Sequence, residues 1–168
     1  MSTTNDVLDF TTEGKPKLSS GLNVLTILTI IGSILALVSS VYNYFTAQKS
    51  YEDMLKMKDT PEMQKAPAFV KSMMSDEMIE VLHKAYLNRM PIMILSLLGA
   101  ALCLYGALEM RKQKKNGYLI WLVGELMPLV AGLAFLGMGA YQGFGLVALV
   151  FPIIFIILYT IYRKDILY

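Results

Sequence analysis

Cysteine and histidine each occur once, at Cys103 and His83. A lone cysteine closes no intrachain disulfide, and one cysteine with one histidine falls short of a four-ligand zinc centre. Cysteine usage therefore says nothing about redox compartment. Charge is scarce as well: 17% of the 168 residues are charged against 55% hydrophobic. No charge occurs from Leu18 to Gln48 or from Met90 to Leu108, and Glu125 is alone between Asn116 and Tyr162. Core helices of a soluble bundle keep a polar stripe, which these runs lack, so a soluble domain is excluded. Nucleophile arrangements, phosphate loops and paired carboxylates are also missing from the polar stretches, which argues against an enzyme and against a cofactor. The net charge is only +2, and the basic run Arg111-Lys112-Gln113-Lys114-Lys115 is too short to read as a nucleic-acid footprint.

What the chain does have is apolar runs of membrane length. A helix needs about 20 residues to cross a hydrocarbon core of about 30 Å, and four stretches qualify: Leu22 to Phe45, Pro91 to Leu108, Gly117 to Met138 and Phe144 to Tyr162. The expected fold is all-α, an integral membrane four-helix bundle over residues 21–168, preceded by a polar tail over residues 1–20. The first run is far longer than the apolar region of a signal peptide and is expected to stay as an anchor. Lysine and arginine in short loops stay cytoplasmic. Basic residues between the second and third spans, and Arg163-Lys164 after the fourth, therefore place both termini in the cytoplasm. The segment 49–89 then lies outside, with seven basic and seven acidic residues that leave the assignment unopposed. A tight Tyr141-Gln142-Gly143 turn should join the last two spans, and Tyr118, Trp121, Tyr159 and Tyr162 suit an interfacial belt at the inner end.

Within the external segment, Tyr51 to Lys58 should continue the first helix. Beyond Pro61 and Pro67, the stretch from Phe69 to about Tyr86 carries Met74, Met78, Val81, Leu82 and Ala85 on one side and mostly charge on the other. That pattern predicts an external amphipathic helix between helices 1 and 2, offering an apolar face to lipid, bundle or partner. Methionines at 54, 57, 63, 73, 74 and 78 could bind Cu(I), but without cysteine or histidine beside them they read as adaptable apolar contacts. Inside the spans, Gly32, Ala36 and Ser40 recur every four residues in the first helix, and Gly99, Cys103 and Ala107 do so in the second. Small residues at that spacing let helices approach, so these two stripes are expected to pack together.

Glu125 sits eight residues into its span, about 12 Å from the edge and near the midplane. A carboxyl there costs roughly 3 kcal/mol or more on insertion scales, so it marks a function or a buried contact. Pro128 cannot donate an amide, which frees the carbonyl of Gly124 beside it. Thr26, Thr29, Ser33, Cys103 and Tyr105 lie at matching depth as candidate partners. Three readings follow: a proton or cation site, an acid that fixes packing across helices, or a contact to another subunit. Because the spans hold no second ionisable partner, packing or subunit contact stands first at this stage.

Two stretches, Lys17-Leu-Ser-Ser-Gly-Leu-Asn-Val-Leu-Thr-Ile-Leu-Thr29 and Lys115-Asn-Gly-Tyr-Leu-Ile-Trp-Leu-Val-Gly-Glu-Leu-Met-Pro128, resemble small four-helix inner-membrane proteins of Bacteroidota. The resemblance implies a cytoplasmic-membrane location and brings no catalytic residues. The single long external loop is also similar to claudin-like topology, but the paired loop cysteines of that family are absent. The expected role is a non-enzymatic accessory or scaffold subunit of a larger envelope complex, whose partners are the lipid bilayer and other membrane subunits or further copies of itself. The alternative is a small transporter or channel component using Glu125.

Overall fold

A computed structural model describes residues 18–165, so nearly all of the polar tail lies outside the described residues. Among the described residues every regular element is helical: α1 (Ser20–Lys58), α2 (Pro61–Gln64), α3 (Ala68–Met73), α4 (Asp76–Leu87), α5 (Arg89–Arg111), α6 (Asn116–Phe135) and α7 (Val147–Tyr162). Three of them, α1, α5 and α6, are long and apolar enough to cross a membrane.

The fourth predicted span is shorter than expected. Gly137 has φ +80°, the left-handed geometry that glycine enters freely, and it closes α6 with its amide donating to the Gly132 carbonyl. Two 3₁₀ turns, Met138–Tyr141 and Gly143–Leu146, then take up residues assigned to the spans, so the connection is longer than the expected three-residue turn. Tyr141 folds back over Gly132, its hydroxyl donating to the Leu129 carbonyl at 2.8 Å. What remains for α7 is 16 residues, about 24 Å at the helical rise.

The packing of the small-residue stripes also differs from expectation. A Cβ placed on Gly32 would meet nothing within 4 Å, so the Gly32, Ala36, Ser40 face of α1 is open. The α5 stripe instead meets α6. A Cβ on Gly99 would lie 2.8 Å from the Gly124 carbonyl oxygen, and one on Gly106 would lie 2.5 Å from the Trp121 nitrogen and 2.7 Å from the Gly117 oxygen. Gly99 faces Gly124 and Gly106 faces Gly117, each pair seven residues along its helix, which is the register of an antiparallel pair. The hairpin reverses through Gln113, in left-handed geometry at φ 60°. Glu109 holds both ends of this turn, accepting from Lys112 at 2.8 Å and Lys114 at 2.7 Å. That bond raises the Lys114 ammonium above its ordinary value.

At the end carrying this basic loop lies an aromatic core. Trp121 and Tyr159 are fully buried and Tyr118 nearly so, rather than forming a lipid-facing belt. Leu22 and Leu25 of α1, Met110 of α5 and these rings make one cluster. Tyr159 is the buried residue of α7, and Tyr162 crosses over Gly21. At the other end α1 runs on past Phe45 as expected. The predicted amphipathic helix is broken at Met74-Ser75, where the Ser75 hydroxyl caps α4 by accepting from the Met78 amide. α4 lies along α1, with Lys58 paired to Asp76 and Tyr51 stacked on His83 at 4.9 Å. Met74, Met78, Val81, Leu82 and Ala85 are half-buried. Val81 meets Gly139, and Leu82 and Ala85 line a cavity shared with α1.

Candidate functional site

Because the glycines draw α5 and α6 together, α1 and α7 are left to close the remaining side, and they do so at one end only. The aromatic core ties α7 down at Tyr159, whereas Ala148, Phe151, Pro152 and Phe155 of α7 stand across a cleft from Gly32, Ser33 and Ala36 of α1. The cleft has a volume of about 530 Å³. Gly32, Ala36 and Phe151 are exposed along it, so it is an open groove rather than a sealed void.

Glu125 lines this cleft and is half-buried. Its Oε2 accepts from the Cys103 thiol at 3.5 Å, the one hydrogen-bond partner it has among the described residues. That thiol also lies 3.7 Å from the Trp121 carbonyl oxygen, and with a single proton it serves one acceptor at a time. The other residues expected around the carboxylate divide. Gly124 is buried against Cys103 and Gly99, and Pro128 packs on Gly99 and borders the cleft. Ser33 is buried and lines the cleft. Thr29 reaches the cleft wall, but its hydroxyl is bonded to the Tyr159 hydroxyl at 2.7 Å. Thr26 lies in the aromatic end, bonded to the Asn23 carbonyl and to Arg111. Tyr105 is 52% exposed and does not line the cleft. Two residues on from Cys103 is about 200° around the helix, which turns it away.

The sequence reading missed Ser39, Asn43 and Ser96, which add a side-chain amide and two hydroxyls to the cleft. Depth matching around Glu125 left them out because they sit up to three turns further along. A smaller cavity of about 280 Å³ shares Ser40, Asn43 and Ser96 with the cleft and continues to Arg89. The Arg89 guanidinium is held over the rings of Tyr44 and Tyr86 at 5.3 and 5.1 Å. Arg89 and Cys103 are 14 residues apart on one helix, about 21 Å along its axis, so the arginine does not neutralise Glu125. Among the described residues no group of three or more histidine, cysteine or carboxylate side chains is placed to hold a metal ion.

The cleft can therefore offer one carboxylate, several hydroxyls and aromatic walls, mostly apolar in area. Compared with known proteins, the chain matches no family model, no curated protein and no solved structure. The likeness to small four-helix inner-membrane proteins rests on the two sequence stretches alone.

Proposed function

We propose that the chain is a multi-pass protein of the inner, cytoplasmic membrane and a small, non-enzymatic transport or channel component in which Glu125 is the ionisable site for a proton or cation. The observation that carries this reading is that Glu125 lines an open cleft instead of being shut into the α5–α6 interface. An acid retained only for packing would be expected between helices with its hydrogen bonds filled. Here the carboxylate has one weak thiol partner and faces space lined by Ser33, Ser39 and Ser96. Such an arrangement inside a span marks ion or substrate pathways more often than structural contacts, which reverses the order of readings drawn from the sequence.

In this proposal α7 with its preceding 3₁₀ turn is the fourth span of a four-helix bundle, segment 49–89 lies outside, and both termini are cytoplasmic. Arg163 stacks over Tyr118 at 5.2 Å, which brings the basic residues after α7 to the end holding the Arg111–Lys115 loop. The positive-inside rule then applies to one face of the protein. Reconstitution into liposomes with an entrapped pH dye tests the function. Wild-type protein should conduct protons under an imposed potential with a rate that changes with pH, and Glu125→Gln should fall to the level of empty liposomes. Equal flux in both would overturn the proposal.

A second reading, an accessory or scaffold subunit, is favoured by the open Gly32, Ala36 face, which suits an incoming helix. Its mark is a stable co-purifying chain in mild detergent that Gly32→Leu releases.

A further inference from the structure

The chemistry of the cleft narrows what Glu125 takes. Resting on the transport reading above, we propose that the cleft binds a lipophilic organic monocation, its charge on Glu125 and its apolar body between α1 and α7. Three observations converge on that class.

The first is charge. Titratable groups facing the carboxylate are Cys103 from α5, Tyr159 from α7 and Tyr141 from the connection, while α1 contributes only hydroxyls. Thiol and phenol carry no charge at neutral pH by their ordinary chemistry, so Glu125 is the one group lining the cleft that can carry a full charge there. In its ionised form this half-buried carboxylate is stabilised by one opposite charge, and a second would be left unpaired.

The second is size. A hard divalent cation such as calcium gathers six to eight oxygens at about 2.3 to 2.6 Å. The polar side chains of the α1 wall run from Ser33 to Asn43, ten residues, or about 15 Å, so they cannot converge on one small ion. A volume of about 530 Å³ falls in the range that holds drug-sized ligands.

The third is the wall. Opposite the α1 hydroxyls stand Phe151 and Phe155 of α7 and Leu129 of α6, surfaces that reward an apolar body and, through the rings, a cationic one. The exposed Gly32 and Ala36 leave the groove open along its side, which suits a ligand that partitions into lipid before binding.

Tetraphenylphosphonium is a suitable probe, with tetraphenylborate as an anion of the same shape. Purified full-length protein in detergent, titrated calorimetrically, should show one saturable site for the cation and none for the anion. Affinity should weaken as pH falls, because a protonated Glu125 has no charge to offer. Losing the charge partner should cost about 30-fold or more in Glu125→Gln, with Glu125→Asp retaining most binding. Gly32→Leu should lower affinity about tenfold by filling the groove from a position where added atoms clash with nothing. That variant keeps the test decisive if those at Glu125 prove unstable. Equal binding of cation and anion, or unchanged cation affinity in either Glu125→Gln or Gly32→Leu, would overturn the proposal, as would no binding at all. Proton flux that depends on Glu125 alongside absent phosphonium binding would reject the ligand class and leave the transport reading standing; loss of both rejects both.

Discussion

Gly106→Leu is expected to separate α5 from α6 and to cost about 3 kcal/mol, the upper end for overpacking a close interface. The atoms a side chain would strike are backbone: the Trp121 nitrogen at 2.5 Å, its Cα at 2.7 Å and the Gly117 oxygen at 2.7 Å. Flexible side-chain ends could rotate away, but these can yield only by moving one helix off the other. Leucine also gains about 1 kcal/mol over glycine in helix propensity, which opposes the clash without matching it. The Gly99–Gly124 contact, seven residues along, would be strained by the same displacement. Thermal unfolding in detergent, followed by circular dichroism, should therefore show a lowered midpoint for Gly106→Leu. Gly32→Leu makes the same chemical change where space is open, so only the propensity gain of about 1 kcal/mol remains and the midpoint should hold or rise. Equal loss in both would mean that the α5–α6 contact at Gly106 is not what the substitution disrupts.

Apolar run length revealed three membrane-length helices, because a charge-free stretch has few other uses. Where helices end was harder to read. The ends of α6 and α7 depend on Gly137 entering left-handed geometry and on Tyr141 folding back to Leu129, which hydropathy does not report. The partners of the stripes were misassigned for a related reason. A four-residue count on α5 picked out Gly99, Cys103 and Ala107, whereas the contact with α6 uses Gly99, Cys103 and Gly106. The signal was present as two glycine pairs of equal spacing, Gly99 with Gly106 and Gly117 with Gly124, on helices joined by a short turn.

For the candidate site, composition alone exposed Glu125, since a single charge in a long apolar run stands out. Its surroundings depended on which way each helix is rotated. Ser33 and Cys103, matched to Glu125 by depth, do line the cleft, but Tyr105 at a similar depth points away and Thr29 is held by Tyr159. The cleft itself follows from a packing fact invisible in any one helix: α7 is fastened through its aromatic end and stands apart beyond it.

That fastening yields the other large expected effect. Trp121→Ala should cost about 4 kcal/mol, as truncations of buried tryptophan do, and the damage should fall on α7. Trp121 is fully buried, with its ring centroid 4.3 Å from that of Tyr159, the buried residue of α7. Its indole Nε1 has no hydrogen-bond partner among the described residues, so removing that group alone relieves an unpaired donor. Trp121→Phe, which keeps a ring and drops the N–H, should accordingly cost less than about 1.5 kcal/mol. The Thr29–Tyr159 hydrogen bond, worth about 1 kcal/mol, cannot hold the helix by itself. The glycine contacts of α5 with α6 do not involve α7, so the hairpin should survive while α7 swings out. Fluorescence cannot follow this change, because Trp121 is the only tryptophan. Cys103 can, being the only cysteine and 7% exposed against the Trp121 carbonyl. Maleimide labelling should be slow in wild type and Trp121→Phe and fast in Trp121→Ala, with helical content retained. A protected Cys103 in Trp121→Ala would mean that α7 is held by something other than its aromatic end.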